Sequence, residues 1–220
     1  MKKIRAVCFD LDGTLLDTLE EIAESANAVL ERNGFPTHDV ESYRYHVGDG
    51  VRRLVERVLP AAIQNETLVS EFATELEAEY DRRENRLTRI YPGIQGLLTS
   101  LSELGIPMAV LSNKPHLLTV DCMKRFFPAF HFQVVLGQQA KTPRKPDPAG
   151  AIKIADQIGC QPTEILYVGD TDVDMKTAKA ANMIAVGVLW GFRSRDELLA
   201  NGADHLVETP KEILSLVEES

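Results

Sequence analysis

Four short segments of this 220-residue chain collect side chains that handle charged oxygen. They are Asp10-Leu11-Asp12-Gly13-Thr14, Ser112-Asn113-Lys114, Arg144-Lys145-Pro146-Asp147 and Asp170-Thr171-Asp172-Val173-Asp174. Brought together, Asp10, Asp12 and Asp170 repel one another unless a cation sits among them. An all-oxygen donor set suits Mg²⁺, which takes one or two carboxylates, waters and a phosphate oxygen. Ser112, with Asn113 beside it, and Lys145 would then meet the remaining phosphoryl oxygens by hydrogen bond and charge. Cation and lysine together lessen the repulsion between an anionic nucleophile and an anionic phosphate. A carboxylate nucleophile at Asp10 gives a phosphoaspartate. Asp12, two residues on, can protonate the leaving alcohol and later deprotonate the attacking water. By spacing alone, Lys141 and Arg144 rival Lys145, and Lys114 reads as peripheral.

Such residues need a scaffold that gathers them. Apolar, β-branched runs at 4–9, 107–111, 132–136, 165–168 and 184–188 read as strands. Between and after them, helical patterns fall near 93–104, 115–126, 148–158, 172–181 and 210–218. Strands alternating with helices imply βαβ units and a parallel sheet. In open parallel sheets ligands bind beyond the carboxyl ends of the strands, where the aspartate and Ser112 segments are expected, with Lys145 on a loop between them. Residues 17–88 read differently. Thr18 with Glu21 forms a capping-box pattern before an apolar helical stripe; a second helix is expected to start at Gly48-Asp49-Gly50, and 66–86 is a charge-laced helix. The expected fold class is therefore α/β: a Rossmann-like parallel-sheet core of 1–16 and 89–220 with a helical unit, 17–88, inserted after the first strand.

Composition narrows the partners. Hydrophobic residues make up 44% and charged residues 26%, a globular balance. The net charge is −9, and residues 17–88, with sixteen acidic residues against eight arginines and no lysine, hold −8 of it. So acidic a chain is a poor ligand for nucleic acid, whose binding depends on phosphate neutralisation. No apolar run reaches the ~18 residues of a membrane span, and Asp10 and Asp12 interrupt the opening segment too early for a secretion signal. Cys8, Cys122 and Cys160 show neither disulfide nor zinc spacing. The expectation is a cytoplasmic monomer or homodimer with no nucleic-acid or membrane partner.

DLDGTLLD at 10–17, LSN at 111–113, Lys145 in RKPDP and GDTDVD at 169–174 resemble the four motifs of the haloacid dehalogenase superfamily. The resemblance implies Mg²⁺ held by Asp10, Asp170 and the backbone carbonyl of Asp12, with Asp174 as an auxiliary acid, and a mobile cap at 17–88. An Asp at position 12 is what the superfamily's phosphatases and phosphomutases share. VGDGVRRL at 47–54 and the tail VLWGFRSRDELLANGADHLVETPKEI resemble the phosphoglycolate phosphatase branch. The reading is thus a Mg²⁺-dependent phosphatase of a small phosphorylated metabolite, with 2-phosphoglycolate first among substrates. Gly50, Arg52 and Arg53 at a helix start are expected to grip its carboxylate. Alternatives are a sugar-phosphate phosphatase, a β-phosphoglucomutase-like mutase, a pyrophosphatase, or a phospho-accepting signalling module without turnover.

Overall fold

The computed structural model describes residues 3–140 and 142–218; Lys141 lies outside them. In chain order the elements are β1 (Ala6–Phe9), β2 (Leu16–Asp17), α1 (Leu19–Arg32), α2 (Tyr43–His46), α3 (Val51–Val58), α4 (Glu66–Arg83) and β3 (Arg89–Ile90). There follow α5 (Ile94–Glu103), β4 (Met108–Pro115), α6 (His116–Phe126), β5 (Val134–Gln138), α7 (Ala149–Ile158) and β6 (Ile165–Gly169). The chain ends with α8 (Asp172–Ala180), β7 (Ile184–Val188), α9 (Arg195–Ala200), β8 (His205–Val207) and α10 (Pro210–Glu218).

Six strands form one parallel sheet in the order β5-β4-β1-β6-β7-β8. This is the expected α/β, Rossmann-like architecture. Every residue of β1 is buried, because helices cover both faces of the sheet. Side chains alternate across the pleat: Val7 and Phe9 pack with α5, α6 and α10 residues such as Leu98, Met123 and Ile213. Ala6 and Cys8 pack with Ala151 and Ile154 of α7 and Met175 and Ala178 of α8. The strand order turns back at β1, since β4 and β5 lie on one side and β6 to β8 on the other. Ligands of open sheets bind at such a switch point. Register then fixes the site: Phe9 pairs with Val110 on one neighbour and Val168 on the other. Asp10, Ser112 and Asp170 must therefore emerge at the same sheet edge.

The two strands β2 and β3 pair antiparallel as a short neck through which the chain leaves and re-enters the core. Between them, α1, α3 and α4 enclose a separate apolar cluster containing Ala26, Leu30, Val55, Val58, Phe72 and Leu76. Phe192, from the loop after β7, joins that cluster and so links the two parts.

Several elements depart from the sequence reading. Residues 112–115 extend β4 rather than forming a loop, with an irregular register between Leu111 and Pro115. The neck, α2, α9 and β8 were not expected, being too short or too polar to show a period. Thr18 makes no capping bond. Glu21, its expected partner, is instead fully buried and accepts from Arg83 Nε at 2.9 Å and from the Leu87 amide at 2.7 Å. This tertiary pair ties the start of α1 to the chain returning after α4. Removing one partner of a buried ion pair costs about 3 kcal/mol. Glu21→Ala is expected to lower the thermal midpoint by roughly 10 °C in calorimetry; an unchanged midpoint would show that the pair contributes nothing net.

Candidate active site

Asp10 directly follows β1, and its amide donates to Val168 O at 2.8 Å, fixing the residue between β1 and β6. Its Oδ1 accepts from Lys145 Nζ at 2.7 Å. The same ammonium donates to Asp174 Oδ1, also at 2.7 Å. Asp174 is held from the other side: its Oδ2 accepts from the Thr171 amide at 3.0 Å and Thr171 Oγ1 at 2.6 Å, a capping box that starts α8. Asp170 accepts from Thr14 Oγ1 at 3.0 Å and from the Phe192 amide at 2.8 Å. Ligand atoms of Asp10, Asp170 and Asp174 lie within 4.8 Å of one another, all three residues buried.

So many carboxylates in one dry place are electrostatically frustrated. Burial, then Asp174, pushes the Asp10 carboxyl well above the ordinary range, against the pull of Lys145. Burial and Asp174 likewise push Asp170 up to about 7. Burial alone would depress Lys145, but Asp10 and Asp174 outweigh it and its pKa rises. Lys145 is thus one cation facing three acids. A divalent ion fits this oxygen-only set: it would relieve the repulsion that one ammonium leaves.

Close backbone approach makes the cluster possible. A Cβ on Gly13, whose φ is +88°, would stand 2.3 Å from Asp170 Oδ2, and one on Gly191 would stand 2.2 Å from Asp170 Cβ. Both positions need glycine for space, and Gly13 needs it for conformation as well. Trp190 Nε1 donates to Thr14 O at 3.0 Å, pinning the loop after Asp12.

Above this edge lies a cavity of about 90 Å³. Asp10, Asp12, Ser112 and Lys114 bring its polar groups from the core, and Ile22, Val47, Val51 and Leu54 give it apolar walls from the inserted helices. The segment 44–50, the end of α2 and the turn into α3, is tethered to the core at several points. Asn113 Nδ2 donates to Gly48 O at 3.0 Å, Arg144 Nη1 to Asp49 O at 3.2 Å and Arg44 Nη1 to Gly191 O at 2.9 Å. Arg193 donates to Val47 O at 3.0 Å and to Arg44 O.

The structure brings Asp10, Asp12, Ser112, Lys145, Asp170 and Asp174 to one edge and moves other expectations. Lys145, not Arg144, reaches the aspartates. The side chain of Asn113 is taken up by backbone: besides Gly48 O, it donates to Lys145 O at 3.1 Å and accepts from the Lys145 amide at 2.9 Å. These bonds lock its side chain to the Lys145 backbone, while the residue also lines the cavity. Gly50, with φ +86° at the start of α3, does line the cavity, but Arg52 and Arg53 do not. Helical spacing turns Val51, Leu54 and Val55 inward. Arg52 is left to pair with Glu56 and Glu66, and Arg53 with Glu56. Lys114, read as peripheral, is instead buried, donating to Asp12 Oδ1 at 3.0 Å and Tyr80 Oη at 2.8 Å. Only the Lys directly after Ser112-Asn113 hinted at it. Asp172 pairs with Lys176 as an ordinary helix-start acid, and His116 accepts from the Gly137 amide.

A parallel α/β sheet with buried carboxylates and a lysine at its switch point is suited to binding a cation and an anion side by side. The chain belongs to the haloacid dehalogenase-like hydrolases, whose sequence model matches residues 7–188. It is 33% identical to a phosphoglycolate phosphatase of Chromobacterium violaceum over 225 aligned residues, covering 99% of this chain and 98% of that one. A phosphoglycolate phosphatase of Neisseria meningitidis is 35% identical over 199 residues, 87% of this chain and 83% of the other. Among solved structures, a protein of Lactobacillus delbrueckii subsp. bulgaricus superposes with a TM-score of 0.91 at 28% identity, covering 98% of this chain and 99% of its own. A predicted phosphoglycolate phosphatase from Haemophilus somnus gives 0.88 at 26%, over 98% and 99%. No helix among the described residues is long and apolar enough to cross a membrane.

The raised pKa of Asp170 has a thermodynamic consequence. Between its ordinary value of 3.8 and about 7, the folded state holds a proton that the unfolded state has released. Stability then falls as pH rises through that window. In chelator-treated protein, Asp170→Asn is expected to flatten this decline in a series of denaturant titrations from pH 4 to 8. Parallel curves for the two proteins would contradict the frustration of the cluster.

Proposed function

We propose that this enzyme hydrolyses a small phosphate monoester, 2-phosphoglycolate, by passing the phosphoryl group through the Asp10 carboxylate. It is a phosphoric monoester hydrolase of the haloacid dehalogenase-like family. The observation that carries the reading is Asp10 itself: it lines the cavity while one of its oxygens is fixed by Lys145. Asp10, Asp170 and the backbone carbonyl of Asp12 would hold Mg²⁺, with Asp174 auxiliary through its bond to Lys145. Bound there, the cation supplies charge neutralisation at the phosphoryl oxygens.

The chain's own groups then divide the work. Ser112 Oγ, which lines the cavity and accepts from the Lys114 amide at 3.1 Å, donates to a phosphoryl oxygen. The Lys145 ammonium binds a second oxygen and, together with the bound cation, would favour the ionised form of Asp10. Asp10 attacks phosphorus as the ester P–O bond breaks, and Asp12 gives the departing alkoxide its proton. Asp12 then takes a proton from water, whose oxygen attacks the phosphoaspartate, releasing phosphate and restoring Asp10. Residues 17–88 act as a cap over the core of 1–16 and 89–220, opening at the β2–β3 neck to admit substrate and closing to exclude bulk water. The sequence relatives support the two-carbon acid as substrate.

Asp10→Asn is expected to lower kcat by on the order of 10⁴-fold with circular dichroism unchanged. Chelation of divalent ions should stop phosphate release, and restoring Mg²⁺ should recover it. Among a panel of phosphorylated metabolites, 2-phosphoglycolate should give the highest kcat/KM. Turnover by Asp10→Asn within tenfold of wild type would remove the nucleophile assignment.

A further inference from the structure

The proposed mechanism leaves unused the one buried cation that lines the cavity. Lys114 is the single cationic side chain among the described residues that line the cavity. Arg52 and Arg53 pair with surface glutamates, Arg144 is spent on Asp49 O, and Lys145 is committed to Asp10 and Asp174. Lys114 uses two of its three ammonium hydrogens, on Asp12 and Tyr80, which leaves one for a ligand. Its stem runs between core and inserted helices, with Nζ 4.0 Å from the centre of the Tyr80 ring.

Chemistry places a substrate's acid group beside it. Asp12 can protonate the leaving oxygen only when that oxygen lies against its carboxyl. In 2-phosphoglycolate one carbon alone separates the ester oxygen from the carboxylate, so the carboxylate must lie next to whatever adjoins Asp12. The adjoining group is Lys114. Tyr80 Oη accepts from Lys114 at 2.8 Å and so holds its ammonium in place; burial holds the phenol protonated.

We propose that Lys114, oriented by Tyr80 of α4, binds the substrate's carboxylate and thereby selects a phosphate ester with a carboxylate on its leaving group. This rests on the phosphatase reading above and assigns the role expected of Arg52 and Arg53 to a residue from the opposite side of the cavity. It also divides the substrate's charges: the phosphoryl end meets Lys145 and Ser112, and the carboxylate end meets Lys114. Because Tyr80 belongs to the inserted helices and Asp12 to the core, the carboxylate subsite is complete only when the two parts meet. Glu77, one turn before Tyr80 on α4, also lines the cavity. Its carboxyl stands on the α4 side of the cavity, away from the phosphoryl-binding groups.

The test compares 2-phosphoglycolate with ethyl phosphate, a two-carbon ester lacking the carboxylate, in the Mg²⁺-loaded full-length enzyme. Lys114→Met keeps the buried stem and removes the charge. The ratio of kcat/KM for 2-phosphoglycolate over ethyl phosphate should fall at least ~10-fold, as for a lost charge-assisted hydrogen bond. Inhibition by glycolate should weaken in step. Tyr80→Phe should shift both readouts the same way by a smaller factor, and it decides the matter if Lys114→Met does not fold. Slower turnover of both esters with an unchanged ratio would overturn the assignment, leaving Lys114 a partner of Asp12 only. A wild-type enzyme that does not favour 2-phosphoglycolate over ethyl phosphate would instead overturn the substrate reading on which the inference stands.

Discussion

Three carboxylates and one ammonium buried at the end of a parallel sheet are the constraint around which this molecule is arranged. Like charges in a medium of low polarity repel strongly, and the fold does not separate Asp10, Asp170 and Asp174. It holds them together with hydrogen bonds from Thr14, Thr171, the Phe192 amide and Lys145. Backbone packing reinforces the arrangement, because Gly13 and Gly191 leave no room for side chains near Asp170. A structure optimised only for stability would replace such groups with apolar ones. Their retention at the switch point of the sheet is the physical mark of a site that binds a cation and an anion together.

The inserted helices depend on the same edge. Segment 44–50 is tethered by Asn113, Arg144 and Arg193, each reaching a backbone carbonyl rather than a charged side chain. Carbonyl contacts of this kind are weaker than buried ion pairs. The apolar walls from Ile22, Val47, Val51 and Leu54 shield the reacting groups from water, which strengthens every charge interaction beneath them. Lys114 adds a further link, from Asp12 of the core to Tyr80 of α4.

Much of this was legible in the sequence. Short, near-continuous apolar runs such as 4–9 and 165–168 read as strands buried on both faces, and helices between them imply a parallel sheet. Its strand ends then name Asp10, Ser112 and Asp170 without any coordinates, and Lys145 follows from the resemblance of its RKPDP loop. What stayed hidden depends on tertiary contact. The neck strands are two residues each, too short to carry a period. Glu21 has the spacing of a capping residue, yet Arg83 and the Leu87 amide, far along the chain, claim it. Arg52 and Arg53 follow glycines at a helix start, as an anion site would require, but Val51 and Leu54 take the inward face. Asn113 stands at a strand end like a ligand-binding residue, and the need to position the Lys145 backbone takes its amide. For Lys114, the partner Tyr80 sits in the inserted helices, and no local pattern joins the two.

The central claim is that one divalent cation and one phosphoryl group meet at Asp10. A crystal structure of the enzyme with Mg²⁺ and beryllium trifluoride, a mimic of an acyl phosphate, tests it most directly. Beryllium is expected on a carboxylate oxygen of Asp10, with Mg²⁺ held by Asp10 and Asp170 and fluorines facing Ser112 and Lys145. Beryllium on another residue, or Mg²⁺ bound away from Asp170, would contradict it.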